Sequence, residues 1–133
     1  MAGALITAEK AVREQLDWGS LAWSCRPSNT GAKQIVAIEV RLTPGGGHAF
    51  HKHPNQEEMI YVVQGQVEQW LDQEKHVLRS GDAVFIPADV VHASFNKSGQ
   101  DAKLLAVLSP SMGGPTGYQL EEVAGQAPWN TLG

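Results

Sequence analysis

Cysteine is almost absent from this 133-residue chain, Cys25 being the only one. No intrachain disulfide can therefore staple it, and nothing marks an oxidising compartment. With no cationic neighbour in the sequence to lower its pKa, Cys25 reads as a small, half-buried apolar residue and not as a reactive thiol. Aromatic residues make up 7% and charged residues 18%, with a formal net charge of −4. The basic residues, Lys10, Arg13, Lys33, Arg41, Lys75, Arg79 and Lys103 among them, are scattered along the chain. No basic stripe can neutralise a run of phosphates, which argues against nucleic acid as a partner. No apolar run approaches the ~20 residues that a membrane-spanning helix needs. The first residues, MAGALITAEKAV, lack a basic start and are interrupted by Thr7, Glu9 and Lys10, which is neither a signal peptide nor an anchor pattern. A cytoplasmic protein with no membrane partner is expected.

What is present suits one folded unit. A hydrophobic content of 42% is that of a soluble globular protein, and the length suits a single domain over residues 1–133. From Gln34 to Leu42, Val36, Ile38, Val40 and Leu42 alternate against Ile35, Ala37, Glu39 and Arg41, which predicts a half-buried strand. EEMIYVVQ at 57–64 and QVEQWLD at 66–72 flank Gly65 and predict a hairpin. Further strands are expected in HVLRSGDAVFIP, with Ala83 to Ile86 as a short buried run, in VVHASFN at 90–96 and in AKLLAVLS at 102–109. Six or more short strands broken by regular turns point to an all-β sandwich or barrel. Only residues 7–17 have a helical pattern, enough for a couple of turns. The Gly- and Pro-rich tail, 111–133, is expected to wrap the barrel or meet a neighbour.

Three of the five histidines fall within HAFHKH, residues 48–53, and two glutamates follow at once. His51 and His53 are two apart on an extended segment, so their side chains leave one face about 7 Å apart. A turn at Pro54-Asn55-Gln56 is expected to form a hairpin that returns Glu58 beside His53. In VVHASFN, alternation puts Val90, His92 and Ser94 on one face, and an inward imidazole needs a polar partner or an ion. Three imidazoles and a carboxylate suit a divalent transition metal (Fe, Mn, Ni, Zn or Cu) rather than Ca or Mg. Two exposed strand histidines beside acidic residues would also satisfy HxH spacing alone. His48 has the wrong strand parity to join His51 as a ligand unless Gly45-Gly46-Gly47 introduces a bulge, and a place behind the ligands or in solvent is expected of it. His76 reads as a solvated turn residue. Phe50, Met59, Tyr61, Trp70, Phe85 and Phe95 could line a pocket, although such residues more often serve packing.

Two motifs then resemble the cupin superfamily. The first, Gly, five residues, His-x-His, three or four residues, Glu, six residues, Gly, is met by Gly45, His51, His53, Glu58 and Gly65. The second, Gly, five residues, Pro-x-Gly, two residues, His, three residues, Asn, is met by Gly81, Pro87, His92 and Asn96. Asp89 stands where the family has its second Gly, a turn position at which Asp tolerates a left-handed backbone. The resemblance implies a double-stranded β-helix, or jelly-roll barrel, with a core over about residues 20–110. It further implies a metal held by His51, His53, Glu58 and His92, and a homodimer. The spacing to Gly65 selects Glu58, and alternation sends Glu57 to the opposite face.

Four side chains of an octahedral set leave two adjacent positions for water, substrate or dioxygen. Similar cupins include dioxygenases of flavonols, diketones or aromatic acids, decarboxylases, isomerases and cyclases. The expectation is a metal-dependent enzyme, first of all a dioxygenase, acting on a small chelating substrate. Glu58 is the one candidate for proton transfer, since a carboxylate ligand can take a proton when substrate replaces water. A non-enzymatic cupin binding a sugar or another small ligand is the alternative, because the fold alone does not decide function. The apolar strand 58–63, with Met59, Tyr61 and Val63 on one face and Ile60 and Val62 on the other, also calls for a covering partner.

Overall fold

A computed structural model describes residues 2–133. Each strand predicted from alternation is present, and two antiparallel sheets face each other across an apolar interior. The first sheet begins with β1 (Val12–Leu16), β2 (Gly19–Cys25) and β3 (Val36–Leu42). It continues through β10 (Ala102–Ser109) and β5 (Glu57–Gln64) to β8 (Ala83–Ile86) at its edge. The second sheet runs β11 (Glu121–Glu122), β4 (Gly47–Lys52), β9 (His92–Phe95), β6 (Gln66–Leu71) and β7 (Glu74–Arg79). This is the expected jelly-roll arrangement, in which consecutive strands often lie in opposite sheets.

The period-two pattern decides which side chains meet between the sheets. On β5, Glu58, Ile60 and Val62 are buried, whereas Met59, Tyr61 and Val63 stay exposed. On β10, Ala102, Leu104, Ala106 and Leu108 point inward, against Val36, Ile38 and Leu42 of β3. Gly65 takes a positive φ of 82° where the chain crosses from β5 in the first sheet to β6 in the second, a conformation glycine adopts at no steric cost. At Gly47 a Cβ would come within 2.6 Å of the Ser94 carbonyl oxygen, so only glycine lets β4 approach β9 this closely.

Three expectations require correction. Residues 7–17 are not helical: a turn at Thr7–Ala11 leads into β1, which pairs with β2 from Val12↔Trp23 to Leu16↔Gly19. Pairing to an existing sheet overrides a weak helical preference in a segment that buries little of its own surface. The one helical turn near that end is α1 (Pro27–Thr30), stopped by Gly31 in the left-handed region. The run 83–86 is an edge strand, with Ile86 buried and Phe85 55% exposed. Finally, neither of the two expected hairpins forms: β4 and β5, and likewise β5 and β6, belong to different sheets, and the chain crosses between sheets at 53–56 and again at Gly65.

The tail lies over the barrel. Val123, Ala124, Trp129 and Leu132 pack on the outer face of the second sheet against Phe50, Trp70, Ala93 and Phe95, and a 3-10 turn (Trp129–Thr131) closes the segment. The outer face of the first sheet has no such cover: Met59 is flanked by Val107 and Phe85, and Tyr61 by Leu105 and Ala83.

If alternation is what builds the core, Leu104→Ala should cost about 2–5 kcal/mol of stability. Val77→Thr, on the exposed strand β7, should stay within ~0.5 kcal/mol. Urea denaturation of the two variants checks the contrast.

Candidate metal centre

The two sheets deliver one group of side chains to a common point. β4 carries His51 and runs on to His53 just beyond its end, β5 contributes Glu58 from the facing sheet, and β9 contributes His92 directly opposite His51. One ligand-capable atom from each of the four lies within 4.8 Å of the others, and all four residues are buried. Glu58 reaches His53 across the gap between sheets and not along a hairpin, because Gln56 pins the crossing. Its side-chain amide donates to the carbonyls of Pro110 (2.8 Å) and Gly117 (2.9 Å), and its oxygen accepts the Gln119 N–H (3.1 Å).

Each imidazole is oriented by a backbone carbonyl. His51 Nδ1 faces Ala49 O at 2.7 Å, His53 Nδ1 faces Gln119 O at 2.6 Å, and His92 Nδ1 faces Val90 O at 3.0 Å. A carbonyl can only accept, so Nδ1 carries the proton in all three rings and each Nε2 is left as a lone pair. The Nε2 atoms of His53 and His92 then stand 3.3 and 2.9 Å from Glu58 Oε1. Neither makes a well-directed hydrogen bond with it, so all three atoms are buried without a partner. Acceptors gathered face to face in an apolar interior repel one another unless a cation or proton lies between them. The donor set, three neutral imidazole nitrogens and one carboxylate oxygen, fits a divalent transition metal.

Burial holds the His51 pKa well below its ordinary value, with His48 and His92 pressing in the same direction. Burial pushes the Glu58 carboxyl upward, and the facing His53 and His92 nitrogens pull it below the usual carboxylate range only when they bring positive charge to it. Asp89 has the expected left-handed backbone, φ 67°, and its carboxylate pairs with Lys52 at 2.9 Å, facing away from the cluster. His76 is exposed near Glu74.

Two contributors, Tyr118 and Gln119, escape a reading of the sequence alone, and a third, His48, takes the expected place behind a ligand. His48 does join the cluster's surroundings, because a register shift between His48 and His51 sets three residues of β4 against two of β9. The bulge follows the glycine run instead of lying in it. The His48 ring stacks on His51 at 3.7 Å between centroids, and Trp18 stacks on His48 at 5.2 Å. Tyr118, in the tail, sets its ring 5.0 Å from that of His53. Burial raises its pKa, and Glu58, Glu122 and Glu14 raise it further. Gln119 orients His53 through its carbonyl, which leaves no trace in residue type. A cavity of about 280 Å³ lies beside the cluster, with His48 and Tyr118 in its wall. None of the six aromatic and Met candidates from the sequence lines it: Phe50 and Trp70 lie under the tail, Phe95 flanks them, and Met59, Tyr61 and Phe85 are on the opposite outer face.

Burial lowers the His48 pKa to about 4, its largest cause, with Glu58 partly opposing and His92 and His53 adding to it. In the unfolded chain both His48 and His51 titrate near 6.5. Between pH 6.5 and about 4 the unfolded chain therefore binds more protons than the folded one, and stability falls as pH falls. The melting temperature of chelator-treated protein should decline through this window, and His48→Phe, which keeps a stacking ring, should flatten the decline.

Comparison with known proteins agrees with this geometry. The family model described as Cupin_2: Cupin domain matches residues 38–108, which contain all four clustered residues. Polyketide synthase CurC of Streptomyces cyaneus is 34% identical over 92 residues, 69% of this chain and 60% of that protein. Quercetin 2,3-dioxygenase of Bacillus subtilis is 32% identical over 79 residues, 59% of this chain and 23% of that protein. The chain spans less than two thirds of the length of the curated relatives it matches. Among solved structures, oxalate decarboxylase of Lactobacillus farciminis in its formate complex superposes with a TM-score of 0.76 at 22% identity, covering 88% of this chain and 35% of that one. The matched segment begins within β3, ends within β10 and carries both halves of the histidine cluster: this chain belongs to the cupin family.

Proposed function

We propose that the protein is a metal-dependent enzyme of the dioxygenase type, acting on a small substrate that presents chelating oxygens. The observation that carries the proposal is the set of mutually facing, buried acceptor atoms on His53, Glu58 and His92, completed by His51. A bound transition ion would supply Lewis acidity toward a chelating oxygen and electron transfer to dioxygen. The chain's own part is to hold the donors in place: the carbonyls of Ala49, Gln119 and Val90 keep the three rings aimed. Glu58 is the one carboxylate in the cluster, and so the group placed to accept a proton from a substrate hydroxyl. Leu71 and Val90 pack beside the apolar core below, and such walls limit water around the reacting groups. The similarity to quercetin 2,3-dioxygenase supports this reading.

One observation favours a second reading, a cupin that binds a small ligand without chemistry. The clustered residues are only 1–6% exposed, with His48 stacked on His51 and Tyr118 edge-on to His53. Loading metal-free protein with Fe(II), Mn(II) or Ni(II) and following dioxygen uptake with flavonol and catechol substrates separates the two. Uptake with at least one metal is expected, falling at least ~10²-fold in Glu58→Gln. About one metal per chain, lost in His51→Ala or His92→Ala, with no uptake from any substrate would leave the binding reading in place.

The proposal extends to assembly. A second copy of the chain is the partner proposed for the exposed face around Met59, Tyr61 and Phe85, next to the unpaired edge of β8. Light scattering should give twice the chain mass, and Tyr61→Glu should halve it.

A further inference from the structure

The cavity beside the cluster is built by the ends of the chain. One wall comes from the β1–β2 hairpin through Trp18 and Trp23, the other from the tail through Tyr118 and Leu120. Trp18, His48 and His51 form a continuous stack leading to the cluster, and Tyr118 meets both Trp23, edge-on at 5.6 Å, and His53. Aromatic faces on both sides favour a planar ring as occupant. At about 280 Å³ the space is just below the range of ~300–1,000 Å³ that suits drug-sized ligands, so it fits one ring or a small bicyclic compound.

Its charge is one-sided. Glu14 and Glu122 are the only Asp, Glu, Lys or Arg residues in the lining. Trp23 Nε1 donates to Glu14 Oε1 at 3.1 Å, fixing that carboxylate, and Glu122 pairs with His51 in the β11–β4 ladder. The nearby cations are engaged elsewhere. The Arg26 guanidinium lies 4.8 Å over the Trp23 ring outside the lining, Arg13 donates to Ala8 O, and Lys52 pairs with Asp89. A carboxylate or phosphate on a substrate is ordinarily met by Arg or Lys, and this cavity offers neither.

We infer that this cavity selects an uncharged aryl compound with vicinal oxygens over its anionic counterparts, with Glu14 and Glu122 as the discriminating residues. The inference deepens the proposed function and rests on it only in taking the cavity as the substrate's seat. An ion at the cluster would attract any vicinal diol alike; the two glutamates act on whatever group the ring carries away from it.

The matched probes are 4-methylcatechol and 3,4-dihydroxybenzoate, which share a ring and two hydroxyls and differ by one charge. Each is titrated into the full chain loaded with Zn(II), with Trp18 and Trp23 in the cavity wall as fluorescent reporters. At low salt the acid should bind about tenfold more weakly, or worse, as expected for two carboxylates several ångströms away. The Glu14→Gln/Glu122→Gln variant, which keeps an acceptor for the Trp23 N–H, should narrow the ratio to about threefold or less, and in the native protein added salt should narrow it too. Equal or tighter binding of the acid, a ratio that neither the variant nor salt changes, or no response to either probe would overturn the inference. Zinc supports no dioxygen chemistry, so discrimination here without dioxygen uptake by the Fe-, Mn- or Ni-loaded protein would sink the dioxygenase reading alone.

Discussion

Three imidazole lone pairs and a carboxylate face one another inside a barrel whose main core cluster is apolar, mostly Val, Ile, Leu and Ala. In an apolar interior this arrangement is unfavourable unless positive charge sits within it. The proton, which could neutralise it, is engaged on the other side of each ring by the carbonyls of Ala49, Gln119 and Val90. The conformation of the backbone around His51, His53 and His92 thus dictates the protonation of the rings, and through it what the centre can hold.

The jelly roll is well suited to this because it brings residues distant in the chain to opposite sides of one gap. His51 and His92 pair across neighbouring strands of one sheet, while Glu58 enters from the other. The crossing at 53–56 is therefore a structural element in its own right. Gln56, fully buried, ties that crossing to the tail at Pro110, Gly117 and Gln119, and Gln119 in turn orients His53. Stability of the tail and geometry of the centre are coupled through two residues.

A division of labour follows between the barrel and the ends of the chain. The barrel strands supply the donors, in the segment shared with other cupins. The N-terminal hairpin and the tail supply the cavity wall and its charge, through Glu14, Trp18, Trp23, Tyr118 and Glu122. These five lie outside the matched segment, whereas His48, in the same wall, lies within it.

The strands, the inward set on β3, β5 and β10, and the four clustered residues were legible in the sequence, because a period of two and fixed motif spacings are local properties of the chain. Alternation placed Glu58 inward and Glu57 outward without any coordinates. Tertiary structure alone decided the rest. Strand pairing turned residues 12–16 from a helical pattern into β1, and a bulge just past the glycine run, which the sequence allowed but did not place, brought His48 onto His51. The tail's carbonyl on His53 is a backbone contact, for which the side chain of Gln119 carries no signal. Contacts between segments far apart in sequence depend on how sheets pair and cross, and that is settled only when the whole chain packs.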